Sequence, residues 1–327
     1  MLVDRHGRQI NYVRLSMTDR CNLRCNYCLP EGFTDFLPKT ELLSYEEHLV
    51  HLRVLSDLGV TKLRLTGGEP FVRRDLMSFI KAISSEKLFQ EIHITTNGTL
   101  INDYIADLEQ LGVNGVNLSL DTFNRENFHR ITGRDEFEKV LNIFHRLAES
   151  KISLKVNAVV LPGQNIPDLL ELVHLTKDID FTMRFIEEMP FNGLNETQRE
   201  WWNYEKLLHY FSEHVALSPI PTAHSSTSMM YQVPGYKGKI GIIAAQSRSF
   251  CGTCNRLRIG PKGDIRSCLY GTSTNGLKEL IRSEASQSEL IKFFEEVVSA
   301  KPKDGFIAEK SMLQANTNHA TMAAIGG

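Results

Sequence analysis

From Tyr12 to about Glu188 the chain alternates short β-branched or alternating segments with longer helical ones, and that rhythm leaves few folds open. Strands are expected at Tyr12–Ser16, Lys62–Thr66, Ile92–Thr96, Val116–Leu120, Ser153–Val160 and Thr182–Ile186, each with a helix behind it. This is the pattern of a parallel sheet with crossover helices. The first helix carries clear boundary signals: Ser44 and Glu47 form a capping box, Leu49, Leu52 and Leu55 recur at helical spacing, and Gly59 falls where a left-handed C-cap belongs. Gly112 after Leu111 ends another helix in the same way. No GxGxxG follows the first strand, so six βα units point to a complete or partial barrel and away from a dinucleotide fold.

After Met189 the texture changes to a polar stretch from Asn192 to Glu200, an aromatic helix around Trp201 to Phe211, then Pro219 and Pro221. The expected division is residues 1–190 for the barrel and 191–327 for a smaller C-terminal domain. That domain should hold strands at Met229–Val233 and Lys239–Ala244, and a hairpin of Arg256–Ile259 with Ile265–Cys268 around the turn Gly260 to Asp264.

The six cysteines fall into two triads with none left over, Cys21, Cys25 and Cys28 as C-x3-C-x2-C and Cys251, Cys254 and Cys268 as C-x2-C-x13-C. Three thiolates can hold an iron-sulfur cube but cannot saturate it, so each triad reads as a centre with one open iron. The hairpin would fold Cys268 back towards Cys251 and Cys254. Zinc is the alternative at the second triad, with His224 or His319 as a fourth ligand. Disulfides are disfavoured, because Met1-Leu2-Val3-Asp4-Arg5 is no charged-then-apolar signal segment and the reading is a reducing cytoplasm.

A formal charge of -2 gives no global attraction to nucleic acid or anionic membrane, and no apolar run approaches a membrane span. Anions must therefore meet local cations. Arg14, Arg64, Lys155 and Arg184 lie inside expected strands beside apolar residues, and Arg256 and Arg258 share one face of another. Guanidinium groups converging from separate strands make a polyphosphate receptor. The competing reading is a set of internal salt bridges to Glu69, Asp121 and Glu187.

The C-x3-C-x2-C loop with Tyr27 before its last cysteine resembles the signature of the radical S-adenosylmethionine (radical-SAM) superfamily, and Gly67-Gly68-Glu69-Pro70 resembles its GGEP segment. In that superfamily the segment's backbone and carboxylate meet the methionyl amino group. The cluster's open iron is chelated by S-adenosylmethionine, whose reductive cleavage yields a 5′-deoxyadenosyl radical. The second triad with Asn255-Arg256-Leu257-Arg258 inside it, Arg184-Phe185-Ile186-Glu187, and the closing Ile325-Gly326-Gly327 narrow the likeness to the GTP 3′,8-cyclase family of molybdenum cofactor biosynthesis.

The fold class implied is α/β: a partial (βα)6 TIM-type radical-SAM barrel with a smaller C-terminal domain carrying an auxiliary iron-sulfur cluster. The activity implied is conversion of GTP to 3′,8-cyclo-7,8-dihydro-GTP, with two 4Fe-4S clusters and S-adenosyl-L-methionine as cofactors. The resemblance places Tyr27, Gly68, Ser119 and Met189 around S-adenosylmethionine. It places Arg14, Arg64, Thr95, Lys155, Arg184, Arg256, Leu257 and Arg258 around GTP. Arg256, Arg258, Gly326 and Gly327 would serve catalysis, and the six cysteines the metals. It also implies a low-potential electron donor such as flavodoxin or ferredoxin, a monomer or homodimer, and no nucleic-acid or membrane partner. The loop Leu194 to Glu200 looks longer than the family's usual connection. Other readings are a different radical-SAM enzyme with one auxiliary cluster, such as a peptide-modifying maturase, and a noncatalytic zinc-stabilised binding module.

Overall fold

The computed structural model describes residues 1–29, 32–189, 201–248, 250–314 and 321–325. The Leu194 to Glu200 loop, His319, Gly326 and Gly327 lie outside the described residues. Six parallel strands, β1 (Tyr12–Ser16), β2 (Lys62–Thr66), β3 (Glu91–Thr96), β4 (Gly115–Ser119), β5 (Ser153–Val160) and β6 (Thr182–Glu187), pair in chain order. Each lies within one residue of its expected bounds. The expected helix signals are present: Ser44 and Glu47 close the capping box of the helix Tyr45–Asp57, and Gly59 and Gly112 take φ of +88° and +75°.

The remaining strands are β7 (Ser218–Ile220), β8 (Ser228–Gln232), β9 (Lys239–Ile243), β10 (Arg256–Ile259) and β11 (Ile265–Arg266). They do not form a sheet of their own. β9 pairs parallel with β6 and β10 pairs parallel with β1, so the C-terminal segment extends both edges of the barrel sheet into one sheet of 11 strands among the described residues. β7 was not foreseen, because Pro219 reads as a loop residue; it sits at the sheet edge, where a missing N–H costs no ladder bond.

Alternation divides the sheet chemically. Val13, Leu15, Leu63, Leu65, Val156, Met183, Phe185, Leu257 and Ile259 belong to a single buried apolar cluster with the surrounding helices. Arg14, Lys155, Asn157, Arg184, Arg256 and Arg258, at the intervening positions, line a cavity on the other face. Successive side chains of a strand point to opposite faces, so the residues that build the core necessarily present their neighbours to the interior.

Candidate active site

Both cysteine triads open into one cavity of about 660 Å³. Cys21, Cys25 and Cys28 follow the end of β1, and the first triad's surroundings come from the C-terminal ends of neighbouring strands. Gly68 follows β2, Asn97 follows β3, Ser119 closes β4 and Met189 follows β6, and all of them line the cavity. That is the face on which barrel enzymes build their sites. Tyr27 donates its hydroxyl to Asp121 Oδ2 at 3.0 Å, and Asp121 Oδ1 accepts from the Val159 N–H at 2.8 Å. Ser119 is not a helix cap; Asn124 caps the helix Arg125–Thr132. Met189 Sδ accepts from the Tyr270 hydroxyl at 3.5 Å.

The Gly-Gly-Glu-Pro segment does something the sequence did not show. A Cβ on Gly68 would lie 2.3 Å from the Arg20 carbonyl oxygen, and one on Gly67 would lie 2.4 Å from that of Thr18. The two glycines press against the loop that leads into the first triad, and the Gly68 N–H donates to Thr18 O at 2.7 Å. Glu69 corrects the expectation that its carboxylate meets a ligand. It is fully buried and accepts from Thr96 Oγ1 at 2.9 Å, the Asn97 N–H at 2.7 Å and the Phe71 N–H at 3.1 Å. Burial pushes its pKa up to about 7 despite these bonds.

The first triad fits a group that brings its own positive charge. Burial, followed by Asp121 and the neighbouring thiols, raises Cys25 well above the usual thiol range, and burial with Cys21 pushes Cys28 up to about 12. As bare side chains these thiols stay protonated; bound iron would draw the protons off. Asn97 Nδ2 donates to Cys21 Sγ at 3.5 Å, the kind of bond that orients a metal ligand. Its position one residue past β3 gave no signal in the sequence.

The second triad sits at the other end. The turn works as expected: the Gly260 N–H donates to Asp264 O at 2.7 Å, and β11 returns the chain towards Cys268. Cys254 and Cys268 then act electrostatically on one another and on Cys251. Burial would raise Cys254, but Lys301 and Arg256 outweigh it and bring the thiol down to about 7. All six cysteines are free thiols, and among the described residues no three candidate ligands close on a single metal ion. His224 is exposed and does not line the cavity.

Between the triads lie the cations. β1 runs between β10 and β2 in a register that sets Tyr12 between Arg256 and Lys62, and Arg14 between Arg258 and Arg64. Thr95, Lys155 and Arg184 complete the lining across β3, β5 and β6, and Thr95 Oγ1 accepts from Arg64 Nη1 at 3.3 Å. Among the described residues, Arg64, Lys155, Arg184 and Arg256 form no ion pair with a carboxylate. The three expected partners are engaged elsewhere. Glu187, for instance, accepts from the Tyr204, Gln246 and Ser247 N–H groups. Burial and mutual repulsion bring Lys155 down to about 8 and Arg184 down to about 10. Uncompensated buried positive charge from several strands is a site for a multiply charged anion.

Leu257 offers no side chain to a ligand: it is 1% exposed in the apolar core and does not line the cavity that Arg256 and Arg258 line, so any contact would be through its backbone. Sequence reasoning also missed Tyr12 and Lys62, although each stands two residues before a recognised arginine and so on its strand face. Lys301, buried at the second triad, followed no pattern at all.

A partial barrel whose strand ends carry a three-cysteine loop and a GGEP turn defines a radical-SAM protein, and comparison with known proteins agrees. Residues 15–176 match the radical SAM superfamily and residues 181–307 match Molybdenum Cofactor Synthesis C. The crystal structure of Streptococcus suis SuiB bound to S-adenosylmethionine shares the fold, with a TM-score of 0.58 at 17% identity over 88% of this chain and 68% of that one. The chain is 36% identical to GTP 3′,8-cyclase of Desulforamulus reducens over 330 aligned residues, covering 100% of both. It is 38% identical to molybdenum cofactor biosynthesis protein 1 of Mus musculus over 304 residues, 92% of this chain but 48% of the relative. It thus spans about half the length of the animal relatives it matches. The chain belongs to the GTP 3′,8-cyclase family.

Proposed function

We infer that this chain converts GTP to 3′,8-cyclo-7,8-dihydro-GTP, the first step of molybdenum cofactor biosynthesis. The observation that carries the reading is the single cavity with a cysteine triad at each end and cations from five strands between them. Cys21, Cys25 and Cys28 would hold one 4Fe-4S cluster and Cys251, Cys254 and Cys268 a second. When bound, the first cluster with S-adenosylmethionine supplies reductive cleavage of the sulfonium and the hydrogen abstraction from ribose C3′ that follows.

The chain's own residues do the rest. Tyr27, the Gly67-Gly68 backbone, Ser119 and Met189 shape the end next to the first triad. Arg14, Arg64, Lys155, Arg184, Arg256 and Arg258 would take the triphosphate, each guanidinium offering paired donors to phosphate oxygens. Held at both ends, the nucleotide would have its ribose turned to the first triad and its base to the second. Fixing that geometry in the cavity limits side reactions. Electrons would come from a low-potential donor of the flavodoxin or ferredoxin kind.

The test is an anaerobic assay of reconstituted protein with S-adenosylmethionine, a low-potential reductant and GTP deuterated at C3′. The expected result is deuterium in 5′-deoxyadenosine together with a cyclised guanine product. Cleavage without deuterium transfer would leave the radical-SAM class and remove GTP as the substrate.

A further inference from the structure

Lys301 is 2% exposed and faces the cavity at the end of the second triad. Its Nζ donates to the Arg256 carbonyl at 3.1 Å and to the Ser267 carbonyl. These carbonyls lie on the two arms of the triad: Arg256 stands two residues after Cys254, and Ser267 immediately precedes Cys268. Among the described residues, no carboxylate comes within ion-pair reach of this ammonium. A buried ammonium satisfied only by neutral carbonyls still requires an anion. The acidic groups on which its charge acts are the thiols of Cys254 and Cys268.

Arg256 adds to the same sign, with its Nη1 3.9 Å from Cys254 Sγ, whereas Arg8, which donates to the Cys251 carbonyl at 2.9 Å, is paired with Asp4 and Arg248 is paired with Glu309. The first triad meets the opposite field: Asp121 acts on Cys25 and Glu69 on Cys21, against the weaker opposing charge of Arg24.

We propose that Lys301 is a positioning residue of the second centre, one that clamps the Cys254 and Cys268 arms together and makes that centre easier to reduce than the first. The inference rests on the reading that the second triad holds an iron-sulfur cluster. A cation beside such a cluster favours its more negative, reduced state, and local charge and hydrogen bonding are among the levers that set its potential. The two ends of the cavity are thereby divided in duty. The end that holds Asp121 and Glu69 retains its electron weakly, as a strong reductant must, and the end that holds Lys301 and Arg256 retains it firmly.

The test uses the full chain with Cys21, Cys25 and Cys28 replaced by alanine, so that only the second centre contributes signal. Lys301, Lys301→Met and Lys301→Arg forms are reconstituted anaerobically, assayed for iron and sulfide, and titrated electrochemically with spectroscopic detection. Lys301→Met should take up less iron and shift the midpoint to more negative potential, and Lys301→Arg should restore both. The unsubstituted full-length chain, titrated in parallel, should show two steps, the more positive matching the second centre alone. Identical midpoints in all three forms would overturn the inference, and so would equal losses in Lys301→Met and Lys301→Arg. Absence of iron from the form that keeps Lys301 would instead overturn the reading of the second triad, and the inference would fall with it.

Discussion

Tyr12 is the residue on which the cationic cavity balances. It is 7% exposed, its hydroxyl accepts from Arg64 Nε at 2.5 Å, and Arg256 and Lys62 lie 5.7 and 5.5 Å from its ring centroid. Burial would raise the phenol, but Arg64, Arg14 and Arg256 together bring it down to about 7. Its ionisation therefore falls within the working range of pH. Below that value the phenol is neutral and offers phosphate no competing charge; above it a phenolate competes for Arg64 and Arg256. GTP affinity should accordingly decline as pH rises through about 7, and Tyr12→Phe should remove that step while leaving the later decline as Lys155 loses its charge near 8. The same substitution deletes a bond between the hydroxyl and a charged donor, worth about 1.5–3 kcal/mol. That loss should appear as a lower thermal midpoint, with iron content unchanged. Calorimetry of GTP binding across pH 6–8.5 and thermal melts of the two forms check both statements. Equal pH profiles would show that the phenol does not titrate in the site.

At the scale of elements, the first triad's loop and the turn after β2 form one packed unit. The Gly68 and Glu69 N–H groups donate to the carbonyls of Thr18 and Arg20, and neither Gly67 nor Gly68 has room for a Cβ. Gly68→Ala should force the two backbones apart. Overpacking of this kind costs about 1–3 kcal/mol, so the thermal midpoint should fall. Iron uptake by the first triad should fall with it, while uptake by the second stays intact. Parallel iron analysis of single-triad backgrounds measures the difference. This unit also marks what could be read in advance. The motif was visible, and so were the boundaries of β1 to β6, because periodicity and caps are local. The role of the glycines was not, since it depends on which loop lies against them. For the same reason the sequence gives no sign that β9 pairs with β6 and β10 with β1: alternation reveals a strand's faces and says nothing of its neighbours. Asn97 and Lys301 are single residues outside any period, and only the folded chain shows what they touch.

On the scale of the whole molecule, the extension of both sheet edges matters more than either half. β10 brings the second triad alongside β1, and the first triad follows β1 directly, so the chain's two remote cysteine sets face each other across one cavity. The segment Met322–Ile325 enters the same space. Met322 lines the cavity, the Ala323 N–H bonds to the Cys28 thiol, and the Ile325 carbonyl accepts from Arg258 Nη1 at 3.4 Å. One short segment thus touches the first triad and an arginine of the second end. Gly326 and Gly327 follow Ile325 in the sequence, and glycine adds backbone without a side chain to obstruct reactants. Deleting Gly326 and Gly327 removes no cysteine and none of the cations that line the cavity. The truncated chain should therefore hold its full iron complement and still form 5′-deoxyadenosine from S-adenosylmethionine. It should fail to cyclise GTP, because the substrate radical would lack the arrangement that carries it to guanine C8. Anaerobic turnover followed by mass spectrometry separates the two products. Cyclised product at the intact chain's yield would show that the tail is dispensable and that the cations and the two triads alone direct the ring closure.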